Sequence, residues 1–69
     1  MPWKFRELIA VAVAHTTQCP YCIEVHSKAA KRAGASKEEL AEAIFIAAAI
    51  RSSGAAAHSA MAMRFYDET

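Results

Sequence analysis

Apolar residues recur along most of this chain at helical spacing, and no run alternates with the period of two that marks a half-buried strand. Four helical segments follow. The first is predicted over about Trp3 to His15, with Pro2 at its start, where a missing N–H costs nothing, and the weaker helix formers Thr16, Thr17 and Gln18 behind it. Pro20 disfavours a helical conformation at Cys19, so the chain is expected to turn there and begin a second helix that reaches about Ala33 and ends at Gly34. Ser36-Lys37-Glu38-Glu39 has the form of a capping box, opening a third helix to about Ser52 that Gly54 closes. The last helix is predicted from Ala55 to about Tyr66, with Asp67, Glu68 and Thr69 frayed.

On the second helix Cys22, Val25, His26, Ala29, Ala30 and Ala33 share one face, while Glu24, Lys28, Lys31 and Arg32 fall largely on the other. A thiol and an imidazole one turn apart are therefore expected to point into the protein. The runs Leu8 to Ala14 and Ala43 to Ile50 are apolar on every side, with Phe45 and Ile46 widening the stripe of Leu40, Ala43, Ile44 and Ala47. A helix of that kind has to be covered all round. Four short helices cannot cover two of them, so part of this surface is expected to be buried against other copies of the chain.

With 69 residues there is room for one domain, spanning 1–69, and a chain this short needs a staple, a ligand or a partner to be comfortably stable. Its 55% hydrophobic content, with two Gly and two Pro, is too apolar for disorder and too poor in breakers for a many-stranded β-fold. The expected fold class is thus all-α, a short helical domain of about four helices completed by homo-oligomerisation. A net charge of +1 provides no basic field for nucleic acid, and no apolar stretch approaches the ~20 residues of a membrane span. Lys4 and Arg6 before Leu8 to Ala14 imitate a signal peptide, but the run is short, Glu7 stands at its edge, and cleavage after Ala14 would leave little to fold. Two cysteines three positions apart are not a secreted disulfide framework, and they point to redox or metal chemistry in the cytoplasm.

Cys19-Pro20-Tyr21-Cys22 is the strongest single signal, since this spacing at a helix start brings two sulfurs close enough to form and break a disulfide, and the helix N-terminus favours a thiolate. Other readings stand beside it. Both thiols could be small core residues, or Cys19, Cys22 and His26 could bind zinc with His15 or His58 as a fourth ligand in a non-enzymatic helical module. The motif resembles that of thioredoxin and glutaredoxin, whose strand–helix–strand frame has no counterpart before Cys19. His26 is placed to take the proton of Cys22 across an i, i+4 step, and Glu7 is the carboxylate available to orient the imidazole, although a solvated residue at a helix start would look much the same. His15 reads equally as a site-edge residue or a histidine favoured by a helix C-terminus, and His58, alone on an Ala-rich helix, as structural.

Glu7, eleven residues, Cys19, two residues, Cys22, three residues, His26 resembles the E-x11-C-x2-C-x3-H signature of the alkylhydroperoxidase D type within the carboxymuconolactone decarboxylase superfamily. The resemblance runs from about Lys4 through Ala57 and includes the Gly34-Ala35-Ser36 turn and the Glu39-Leu40-Ala41-Glu42-Ala43 helix opening. It implies an all-α fold that assembles as a homo-oligomer, a trimer or hexamer, and a peroxidase cycle without a cofactor or a metal. In that cycle Cys22 is oxidised by a hydroperoxide, Cys19 resolves it as a disulfide, and His26 with Glu7 handles protons. A thiol or lipoyl-bearing partner then supplies the reductant. Tyr21 stands where some members have histidine, and helices that usually precede the motif are missing from this sequence. The decarboxylase branch works without the cysteine pair, so its lactone chemistry does not carry over.

Overall fold

The computed structural model describes every residue from Met1 to Thr69 and consists of three α-helices with no strand. Helix α1 spans Trp3–Thr17, α2 spans Pro20–Arg32 and α3 spans Lys37–Asp67. The all-helical expectation is met; the count of four is corrected to three.

The correction lies at Gly54. The helices predicted to end at Ser52 and to restart at Ala55 are one continuous helix of 31 residues. A glycine ends a helix when it takes a left-handed conformation and the following N–H groups turn back onto the last carbonyls. Gly34 does this, with φ of 95°, its N–H on the Lys31 carbonyl at 3.1 Å and that of Ala35 on the Ala30 carbonyl at 3.0 Å. Gly54 stays helical ahead of the strong helix formers Ala55, Ala56 and Ala57, at a cost of about 1 kcal/mol relative to alanine. The same continuity changes the reading of membrane spans: α3 is long and apolar enough, by length and composition only, to cross a membrane. Arg51 interrupts it, however, and donates a hydrogen bond to the Thr16 carbonyl.

Helix α1 runs two residues past its predicted end at His15. The hydroxyls of Thr16 and Thr17 bond back to the carbonyls of Val13 and Ala14, at 2.6 and 3.5 Å, so these poor helix formers complete the last turn. Gln18 then adopts a left-handed conformation, φ 59°, and the Cys19 N–H closes onto the Ala14 carbonyl at 3.0 Å. At the other turn Ser36 caps α3 as read from the sequence: its Oγ accepts the Glu39 N–H at 3.0 Å while the Glu39 carboxylate accepts the Ser36 N–H at 2.8 Å.

The short Gln18-Cys19 connection folds α2 back beside α1. Helix α3 then runs parallel to α1, since Lys4–Glu39 and Arg51–Thr16 join the two with the same offset of 35 residues. α1 is the central element: it packs on both neighbours, whereas α2 barely touches α3. The core consists of Val11, Ala14, Ala30 and Ala47. Of the α2 residues read as inward-facing, Ala30 is buried and Cys22, His26, Ala29 and Ala33 are half-buried, while Val25 lies at the exposed edge. Every residue from Ala48 onward is exposed, and α3 projects past the Cys19–Cys22 end of the hairpin to give a molecule of 54 × 20 × 20 Å.

The Glu39 carboxyl is held below its ordinary value of 4.5, first by the Ser36 backbone N–H and then by Lys4 at 3.1 Å. A depressed carboxyl stabilises the fold above its unfolded value and loses that contribution as pH falls through the folded one. Thermal unfolding from pH 7 down to below pH 4.5 is therefore expected to show a shallower loss of stability in Glu39→Gln than in the parent. Parallel curves would show that the capping box contributes nothing to the acid limb.

Candidate active site

Cys19 is the N-cap of α2, in extended conformation (φ −106°, ψ 93°), because Pro20 occupies the first helical position and bars a helical residue before it. Its Sγ accepts the Cys22 N–H at 3.3 Å. The two sulfurs are joined in a disulfide, with Cα atoms 5.3 Å apart. The dithiol spacing thus forms the bond expected of it, and the sulfur of Cys19 sits against the positive end of α2.

Cys22 and His26, one turn apart on α2, line a shallow cleft of about 340 Å³ between α2 and α1, with Arg6, Ile9, Val13 and Thr17 on the α1 side. Glu7, one residue along α1 from Arg6, is not among the residues that line this cleft. Its carboxylate accepts a hydrogen bond from His26 Nδ1 at 2.7 Å. Its side chain is 15% exposed against 37% for the imidazole, so the carboxylate lies on the protected side and the ring reaches outward. A carboxylate only accepts, so the proton of the neutral imidazole is on Nδ1 and Nε2 remains free as a base. The half-buried carboxylate thus holds the imidazole, and the imidazole shares the cleft with Cys22.

Glu7, Cys19, Cys22 and His26 are all brought together. His15 is not part of the group: its Nδ1 bonds to the Val11 carbonyl of its own helix at 2.8 Å. His58 is exposed on the free half of α3. No set of three His, Cys, Asp or Glu side chains converges as metal ligands would, and both thiols are committed to the disulfide. The wall of Arg6, Ile9 and Val13 went unrecognised in the sequence, where these residues looked like any part of an apolar helix. Spacing offered a signal all the same, because residues 6, 9, 13 and 17 fall on one helical stripe.

The model of the Carboxymuconolactone decarboxylase family matches residues 1–64. A Paracoccus denitrificans protein described as uncharacterized protein 4 in the cox locus is 54% identical to this chain over 65 residues. The match covers 94% of the chain but 59% of that relative's length.

Proposed function

The chain belongs to the carboxymuconolactone decarboxylase family, and from that membership and the site geometry we propose a thiol-dependent peroxidase that reduces hydrogen peroxide or organic hydroperoxides. The observation that carries the proposal is a Cys19–Cys22 disulfide beside an imidazole whose Nδ1 is held by a protected carboxylate, which leaves Nε2 to serve the cleft. In the reduced protein the Cys22 thiolate attacks the distal peroxide oxygen. The O–O bond breaks, Cys22 becomes a sulfenic acid, and the departing alkoxide or hydroxide takes the proton that His26 removed from the thiol. Cys19 then attacks the Cys22 sulfur, releasing water and closing the disulfide. A dithiol partner, lipoyl-bearing or another thiol, reopens it and leaves as its own disulfide.

A general disulfide oxidoreductase is the second reading, favoured by the N-cap position of Cys19, which stabilises a thiolate as dithiol exchange requires. One measurement separates the two. On adding one equivalent of peroxide to the reduced protein, mass spectrometry is expected to show loss of two hydrogens faster than the same change on adding a small disulfide of equal concentration. A preference for the disulfide, or oxygen addition without closure, would overturn the peroxidase reading.

We also propose that the working form is a homo-oligomer. Trp3, Phe5, Ile9, Val13, Phe45 and Ile50 are each at least 47% exposed, a surface a four-residue core cannot offset. Sedimentation at micromolar concentration is expected to give a multiple of 7.5 kDa, and a folded, monodisperse monomer would refute the claim.

A further inference from the structure

Arg6 is the one permanently charged side chain lining the cleft of Cys22 and His26, and no carboxylate lines that cleft with it. Lys4, Lys28 and Arg64 are paired with Glu39, Glu24 and Glu68, whereas Arg6 enters no ion pair. Glu7, its neighbour in sequence, is committed to His26. The guanidinium is nevertheless held in place. Its Nε donates to the Met1 carbonyl at 3.1 Å, and its Cζ lies 4.5 Å from the centre of the Trp3 ring. The two Nη groups, whose N–H donors together match the two oxygens of a carboxylate, have no partner within the protein. An arginine pinned in this way loses less freedom on gripping an anion than a loose surface arginine does.

The cation and the reactive sulfur stand at a distance set by the hairpin. Helix α2 runs back along α1, and Glu7 meets His26. Cys22 lies one turn from His26, about 6 Å toward the closed end, and the Met1 carbonyl that anchors Arg6 lies about 9 Å from Glu7 the other way. The guanidinium and the Cys22 sulfur are thus about 12–15 Å apart along the hairpin. Ile9, Ala10 and Val13 supply an apolar wall beside that path. Hydrogen peroxide needs neither the wall nor the cation. An apolar chain with a carboxylate at its far end uses both, since about ten methylene groups at ~1.3 Å each cover the distance.

On the strength of the peroxidase reading, we propose that Arg6 selects the substrate, and that the cleft takes hydroperoxides of the fatty-acid class. Their carboxylate lies on the Nη groups of Arg6, the chain lies along Ile9 and Ala10, and the O–OH group meets Cys22. The chemistry at sulfur is the same as for any hydroperoxide. The terminal oxygen passes to Cys22 and leaves as water, the rest of the substrate departs as the hydroxy acid, and each thiol loses a hydrogen as the disulfide closes. Arg6 touches no reacting atom. It grips ground state and transition state alike, so its effect falls on KM and not on kcat.

The test compares, on the full-length protein, a straight-chain hydroperoxy acid of this length with its methyl ester, which keeps the chain and the O–OH group and lacks the charge. The KM of the acid is expected to lie about tenfold below that of the ester. Arg6→Gln should raise the KM of the acid about tenfold while leaving its kcat and the ester unchanged, and Arg6→Lys should recover part of the loss. Hydrogen peroxide, consumed at the parent's rate by each variant, shows that the fold and the thiols are intact. Binding is read without turnover through Trp3, the only tryptophan, in the disulfide form. Decanoate is expected to bind about tenfold more tightly than decanol to the parent, and no more tightly than decanol to Arg6→Gln. Peroxide consumption without preference for the acid, or decanoate binding that ignores Arg6, would overturn the proposal and leave the peroxidase reading intact. Arg6 dependence confined to the reopening of the disulfide by a carboxylate-bearing dithiol would overturn it too, placing the anion on the reductant. If decanoate binds through Arg6 and no peroxide is consumed, the peroxidase reading fails and the carboxylate site stands.

Discussion

Replacing Cys22 by serine is expected to lower peroxide consumption by about 10³-fold or more, to the level of the buffer, because the attacking sulfur is then gone and no other group in the cleft is a comparable nucleophile. Cys19→Ser should behave differently. It removes only the resolving thiol, so one equivalent of peroxide is consumed and the reaction stops at a Cys22 sulfenic acid that dimedone traps. The geometry supplies a specific reason to test this order. Cys19 accepts the Cys22 N–H at the N-cap of α2 and is the sulfur better stabilised as a thiolate by the helix terminus, whereas Cys22 shares its cleft with His26. Peroxide reduction needs a proton for the departing oxygen as well as a thiolate, and only Cys22 has an acid–base group one turn away. A dimedone adduct on Cys19 in the Cys22→Ser protein, formed at the parent's rate, would reverse the assignment.

How much of this was legible in the sequence depended on whether a signal was local. The capping box at Ser36 and the glycine end at Gly34 are defined by contacts within a few residues, and both form as read. So does the cysteine pair, whose bond closes over a separation of three. Gly54 has the same chemical identity as Gly34, yet a glycine is only permissive, and the turn requires following residues whose N–H groups can return. Ala55, Ala56 and Ala57 prefer to continue the helix. The Glu7–His26 contact spans 19 residues and depends on how α1 and α2 pack, which no local pattern specifies. Apolar periodicity placed His26 on the inward face, but Glu7 became more than an isolated acidic residue only through its spacing from the cysteines. Val25 shows the limit of periodicity: it satisfied the pattern and lies at the edge of the face, since α2 is covered almost entirely by α1 and barely by α3.

The Glu7–His26 pair carries the last expectation. With Nδ1 donating to Glu7 at 2.7 Å, the imidazole is held in the tautomer whose Nε2 can accept the Cys22 proton. His26→Ala removes the base and should lower the peroxide rate at neutral pH by about 10²-fold, within the range general acid–base groups supply. It should also move the alkylation of Cys22 in the reduced protein to higher pH. Glu7→Gln keeps the size and the accepting oxygen but loses the charge, so the ring stays in place while its preferred tautomer and its imidazolium form lose support. A drop of about tenfold with an alkylation profile displaced less than in His26→Ala is expected. Glu7 acts through the ring, as a positioning residue, so the double variant should be no slower than His26→Ala alone, because nothing remains to be positioned. Circular dichroism and sedimentation unchanged from the parent would tie these effects to proton handling. If both single variants are folded and assembled, yet keep the parent's rate and alkylation profile, the pair is a packing contact and Cys22 reacts without its help.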